Sequence, residues 1–248
     1  MVNNTIAVVD IGTNSVKMTV ATRNADNTLT VLFEDTVITR LGKGVDAGGN
    51  IAPEAATRTF DALAAFGEKA RSLGAVKIVA VGTSALRDAA NGAEIVREAE
   101  NRLGGTLELI AGKREAELTF RAADGDGQIA ALLPPNPLLV TCDIGGGSTE
   151  IVQGIGGEIF YAHSLQIGAV RLTERAGLSD PVTGEAFQNA ARIVQKTFAE
   201  VPAPSPALEP VLVASGGTAA NLAAIEVAAT GRPVAFDAVH AHRLTREQ

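Results

Sequence analysis

The chain has 248 residues, 46% of them hydrophobic and 20% charged, with a formal net charge of -7. At about 100–200 residues per domain this means one large or two modest domains, able to bury a core without disulfides or a structural metal. The acidic balance argues against nucleic-acid binding by long-range attraction, and the lone Cys142 excludes an internal disulfide.

MVNNTIAVVD lacks the basic-then-apolar pattern of a secretory leader, and no apolar run approaches the ~18 residues that span a bilayer, so a cytoplasmic protein with no membrane partner is expected. Ile6 to Asp10, Lys17 to Thr22 and Thr28 to Phe33 read as three short strands separated by the turn formers of IGTNS and RNADN, a β-meander. From Pro53 to Leu73 apolar residues recur at helical spacing, with Pro53 suited to a first turn and Gly74 just past the end. VKIVAVGTSALRDAANG predicts a strand, a Thr-Ser turn and the start of a helix. GAEIVREAENRLG predicts another helix, TLELIAG a strand and KREAELTFRAAD a short helix. DGDGQIAALLPPNP is punctuated like a connection between domains, which gives domains of residues 1–124 and 125–248.

The pattern then begins again. Leu138 to Asp143, Glu150 to Gly154 and Glu158 to Ser164 form a second meander, followed by helix-like GAVRLTERAG and GEAFQNAARIVQKTFAEV. The Pro-rich PAPSPALEP makes a loop, and VLVASGGTAANLAAIE a strand, a Gly-Gly turn and a helix. Both halves start β-turn-β-β and continue into αβ units, so the chain reads as a duplication, most visibly where VVDIGTNSVKM parallels TCDIGGGSTEI.

In each copy an apolar strand delivers an Asp to its end, and D-I-G-x-x-S turns the chain into the next strand. Gly145, Gly146 and Gly147 let backbone N–H groups approach an anion closely, and Ser148 adds a hydroxyl donor. Asp143 would repel phosphate but suits Mg²⁺, which prefers a few carboxylates plus phosphate oxygens. The plain alternative is a tight hairpin, which two related copies make less economical. A Walker loop is excluded by the absence of G-x-x-x-x-G-K-[ST], and a Rossmann fingerprint by a strand where a helix is required.

Six segments, VVDIGTNSVKM, VGTSALRDAAN, ELIAGKREAEL, TCDIGGGSTEIV, LQIGAVRLTE and ASGGTAANLAAI, resemble in order the motifs of the exopolyphosphatase and guanosine pentaphosphate phosphatase family. The resemblance runs from Ile6 to about Thr245. It implies an α/β fold of two ribonuclease-H-like domains of the actin, Hsp70 and sugar-kinase superfamily, with a cleft between them. It also implies Mg²⁺-dependent hydrolysis of the terminal phosphoanhydride of polyphosphate or of guanosine pentaphosphate. The family's catalytic Glu precedes Ala in a G-x-E-E-A segment; GKREA here matches it at Glu115, with Arg114 in place of the preceding Glu. Asp143 and Glu150 match the acidic positions of the second loop, expected to hold metal; Asn14, Ser15 and Arg87 match phosphate-binding positions of the first domain.

The chemistry asks for the same parts: a water in line with the leaving oxygen, neutralised phosphoryl oxygens, and a group that orients or deprotonates the water. Glu115 is the candidate for the last, and the N–H groups of residues 145–148, Arg87 and Mg²⁺ for the neutralisation. Each has an ordinary alternative: a helix-capping acid for Glu115, a strand-edge charge for Glu150, and pairing with Asp88 or Glu94 for Arg87. Cys142 is expected to be a buried, inert thiol, and His163, His240 and His242 to make ordinary hydrogen bonds.

VHAHRLTREQ resembles the family's V-H-G-x-x-L-T segment with Ala241 for Gly, but the family continues through further helices. The second domain is therefore expected to be C-terminally incomplete, leaving apolar area that a homodimer could close. No concentrated run of Lys or Arg offers a track for a long polyanion. That keeps a 5'-triphosphate nucleotide open as substrate, along with a non-catalytic phosphate or nucleotide sensor.

Overall fold

The computed structural model describes residues 4–245, which fall into two compact units, one running to Ala111 and the other starting at Gly112. The first contains β1 (Thr5–Ile11), β2 (Ser15–Arg23), β3 (Leu29–Ile38), α1 (Val45–Gly48), α2 (Pro53–Ser72), β4 (Lys77–Gly82), α3 (Ser84–Asp88), α4 (Gly92–Leu103) and β5 (Thr106–Leu109). Its sheet has the order β3-β2-β1-β4-β5. β1 to β3 are antiparallel neighbours, and β4 and β5 run parallel to β1.

Strand alternation makes this core. Ala7, Val9 and Ile11 of β1 and Val16, Met18 and Val20 of β2 point to one face and are at most 1% exposed. α2 supplies the matching helical stripe, with Ala55, Thr59, Leu63, Phe66 and Ala70 buried at spacings of three and four residues. Each large buried aliphatic side chain contributes about 1.5–3 kcal/mol. The edge strand β3 stays largely exposed and carries Glu34 and Asp35, charges that discourage further strand pairing.

The second unit contains α5 (Gly112–Asp124), α6 (Gly127–Ala130), β6 (Leu139–Ile144), β7 (Thr149–Ile155), β8 (Glu158–Leu165), α7 (Ala169–Ala176), α8 (Gly184–Phe198), β9 (Val211–Ser215), α9 (Gly216–Ala229) and α10 (Phe236–Val239). Its sheet repeats the first design in the order β8-β7-β6-β9, with β6 to β8 antiparallel and β9 parallel to β6. The duplication expected from the sequence is thus a duplication of topology, two ribonuclease-H-like α/β units in one chain.

Two apolar clusters flank this sheet. Ala116 and Phe120 of α5 pack with Leu139 and Val152 on one face; Cys142, Ile151, Leu165 and Ile167 pack with α8 on the other. Gly154 makes room for the helix, since a Cβ there would lie 2.5 Å from the Phe120 ring. α5, assigned to the first domain from sequence punctuation, therefore groups with the second unit, and the expected connection contains α6. Among the described residues no helix is long and apolar enough to cross a membrane.

Candidate functional site

β6 carries the apolar run of the second copy and ends on Asp143-Ile144, where residues 145–148 turn the chain into β7. Gly145 N–H donates to Ser148 O at 3.0 Å, and Gly12 N–H donates to Ser15 O at 3.0 Å in the first copy, so the two loops close alike. The interior carbonyls of each loop are held from outside. Asn14 O accepts from Thr39 and Arg40, while Gly145 O accepts from Ala169 and Gly146 O from Val170 and Arg171 at the start of α7. No hydrogen bond among the described residues uses the N–H groups of Gly146, Gly147 or Ser148. Fixed carbonyls and available N–H groups are the arrangement that suits an anion.

A row of polar side chains crosses the sheet beside this turn. Register pairs Ser164 with Glu150, Glu150 with Asp143, and Asp143 with Ser215, so all four lie on one face. Glu150 is 1% exposed, and the Ser164 hydroxyl donates to its Oε1 at 2.6 Å. A charged group this deep needs such donors, and the bland reading of a strand-edge charge does not describe it. Asp143 is more open, and its Oδ2 accepts from Thr119 Oγ1 at 3.4 Å.

α5 lies over this face. Its buried Ala116 and Phe120 fix its rotation, and the single Thr119 hydroxyl proton is shared between Glu115 O at 3.0 Å and Asp143 Oδ2 at 3.4 Å. Glu115, half-buried in the first turn, is one helical turn from Thr119 and so on the same side of α5. The positive end of the helix favours a carboxylate there.

The same site silences the thiol. Cys142 points to the opposite face, and burial pushes its pKa up to about 11, with the charges of Asp143 and Glu150 adding to the effect. Iodoacetamide at pH 8 should leave Cys142 unmodified in the folded protein and alkylate it in urea, as mass spectrometry would show. Rapid alkylation of the folded chain would contradict this burial.

In the first unit, the turn bearing Asn14 and Ser15 follows β1, and α3 follows the parallel neighbour β4, so both stand at the C-terminal edge of that pair. Thr83 N–H donates to Ile11 O at 3.3 Å and links them. Arg87 donates to Ile110 O at 2.8 Å and its Nε lies 3.8 Å from Asp88 Oδ1, so the Asp88 pairing weighed as the ordinary alternative for Arg87 is present. The side chain is 24% exposed. His240 contacts Asp126 at 3.1 Å and His242 contacts Glu226 at 2.5 Å, ordinary structural roles. Among the described residues no group of three or more His, Cys, Asp or Glu forms a metal cluster. Asp143 and Glu150, at opposed register positions, suit a cation whose remaining ligands are water and phosphate oxygens.

Sequence reasoning assigned no part to Thr119, Ser164, Gly168, Ser215 or Gly216. The last three lie in segments quoted for their resemblance, yet their partners are distant in the chain.

Two ribonuclease-H-like units, each with an acidic strand end and a closely similar turn after it, define an α/β protein of the actin-like fold. The chain belongs to the Ppx/GppA phosphatase family, whose profile matches residues 19–243. It is 38% identical over 253 residues to Exopolyphosphatase 2 of Mycobacterium tuberculosis, spanning 96% of this chain and 74% of that protein. A guanosine-5'-triphosphate,3'-diphosphate pyrophosphatase of Vibrio cholerae is 32% identical over 185 residues, spanning 74% of this chain and 36% of that one. A crystal structure of an exopolyphosphatase from Cytophaga hutchinsonii superposes with a TM-score of 0.78 at 27% identity, covering 94% of this chain and 73% of that one. Family and relatives make this chain an enzyme, a phosphoanhydride hydrolase.

Proposed function

We propose that the chain is an exopolyphosphatase, which removes the terminal phosphate of inorganic polyphosphate by Mg²⁺-assisted attack of water. The observation that carries this reading is the meeting of α5 with the polar row, where Glu115 stands a helical turn from the Thr119 hydroxyl that reaches Asp143. Coverage favours polyphosphate over the nucleotide, because the exopolyphosphatase likeness spans 96% of the chain and the pyrophosphatase likeness 74%.

The N–H groups of Gly146, Gly147 and Ser148 receive the oxygens of the terminal phosphoryl group; Asn14, Ser15 and Arg87 are the phosphate-binding candidates of the first unit. Glu115 orients the attacking water and takes its proton as the new P–O bond forms. The bridging P–O bond breaks, and the shortened chain leaves with the electron pair on its terminal oxygen. Asp143 and Glu150 would hold Mg²⁺, which supplies charge neutralisation at the phosphoryl oxygens when bound. Ser164 keeps the Glu150 carboxylate in place.

The second reading is hydrolysis of guanosine pentaphosphate at its 5'-phosphate, favoured by the acidic charge of -7 and the lack of a basic run for a long polymer. Phosphate release should be measured on polyphosphate and on guanosine pentaphosphate, each with and without Mg²⁺. Faster Mg²⁺-dependent release from polyphosphate supports the proposal, while preference for the nucleotide replaces it with the second reading. Binding of either compound without release from any substrate would make the chain a sensor.

A further inference from the structure

Ser215 ends β9 and completes the polar row opposite Asp143. Its hydroxyl oxygen is buried and has no hydrogen-bond partner among the described residues. An unsatisfied buried hydroxyl is costly, so such groups are ordinarily met by an ordered water or a ligand. Thr141 Oγ1 is in the same condition, but Thr141 sits one row deeper, 1% exposed and in register between Val152 and Val213. Ser215 is at the strand end, level with the acid of the site.

The following residue shows which atom of Asp143 faces this turn. Gly216 has φ +84°, and a Cβ there would lie 2.6 Å from Asp143 Oδ1 and 2.5 Å from Ile144 O. Oδ2 is the atom that accepts from Thr119 on α5. The carboxylate therefore divides its oxygens, Oδ2 toward α5 and Oδ1 toward the β9–α9 turn. There Ser215 brings a hydroxyl that can both donate and accept.

We infer that Ser215 is a positioning residue of the cation site, its hydroxyl and Asp143 Oδ1 together holding one water of the divalent cation's hydration shell. The inference rests on the Mg²⁺ reading above. Mg²⁺ gives up its waters reluctantly, so a protein that offers few direct ligands must hold the hydrated ion through waters. A hydroxyl beside the liganding carboxylate does this without adding charge. It also accounts for a polar group buried at a point where nothing else among the described residues satisfies it.

The test uses Mn²⁺, which shares the preference for oxygen ligands, counted by electron paramagnetic resonance on the folded full chain. Wild type, Asp143→Asn, Ser215→Ala and Ser215→Thr are compared, with thermal unfolding of each. Wild type should bind Mn²⁺ and Asp143→Asn should lose it. Ser215→Ala should bind roughly tenfold more weakly, as for other residues that support metal ligands. Ser215→Thr, which keeps the hydroxyl, should restore affinity to within about twofold of wild type on the same basis. In phosphate release, Ser215→Ala should need about tenfold more Mg²⁺ for half-maximal rate while kcat at saturating Mg²⁺ persists. Its unfolding temperature should not fall, since replacing an unpaired buried hydroxyl is nearly neutral. Equal Mn²⁺ affinity in wild type and Ser215→Ala would overturn the role of Ser215 alone. Absence of Mn²⁺ binding by wild type would overturn the metal reading and this inference with it. A large fall in unfolding temperature for Ser215→Ala, with Mn²⁺ affinity lost in Ser215→Thr as well, would assign the residue a merely structural role.

Discussion

Glu115→Gln should lower kcat for phosphate release by about 10²–10⁴-fold, the usual worth of a positioned general base, and leave substrate binding within a few-fold of wild type. Glutamine keeps the size and the hydrogen-bonding reach of the side chain but has no basic oxygen. The substitution therefore removes proton acceptance and little else. It should not unfold the chain, because α5 is anchored by Ala116 and Phe120, both 0% exposed, while Glu115 is only half-buried. Single-turnover phosphate release together with equilibrium binding of polyphosphate would separate the two effects. A variant that keeps its turnover would remove Glu115 from the chemistry, and one that loses binding and turnover together would make it a binding residue.

Gly168→Ala should be nearly as damaging by a different route. A Cβ at this position would lie 2.5 Å from Gly146 C, 2.6 Å from Gly146 O and 2.7 Å from Gly147 N. All three are backbone atoms of the turn between β6 and β7, so no side chain can swing aside. The turn itself has to move, and with it the N–H groups assigned to the phosphoryl oxygens. A misplacement of about 1 Å can cost on the order of 10²-fold in rate, and this crowding should cost about 1–3 kcal/mol of stability. Gly184→Ala is the control. It starts α8, a Cβ there meets nothing within 4 Å, and it should gain up to about 1 kcal/mol with unchanged kcat/KM. Steady-state kinetics and urea unfolding of the two variants would decide. Wild-type activity in Gly168→Ala would show that the turn is more pliant than its backbone packing implies.

Much of this architecture was legible because it is local. The Val140–Val152 segment announces an apolar strand, an acid, a turn and a strand, and β6, the turn and β7 follow that reading closely. Pro53 and the apolar spacing after it place α2 almost to the residue. The single-turn helices α1, α6 and α10 escaped because four residues carry no periodicity. The Ala116, Phe120 and Ala123 stripe marks α5 as amphipathic, but periodicity does not say which sheet it will cover, so Gly and Pro punctuation placed it with the first unit. The candidate acids stood out as residue types in a motif. The company they keep did not, because Ser164 and Ser215 join the row only through strand register, and Gly168 meets the turn only through the packing of α7.

The mounting of Glu115 sets a limit on how this enzyme can change. The helix that carries it is also the cover of one face of the second sheet, with Phe120 filling the space above Gly154. Loosening that helix to admit a bulkier substrate would open the core of the unit at the same time. With Glu115 in its proposed role, catalytic geometry and thermal endurance would be carried by one element, and new specificity would have to be sought in the turns around the sheet.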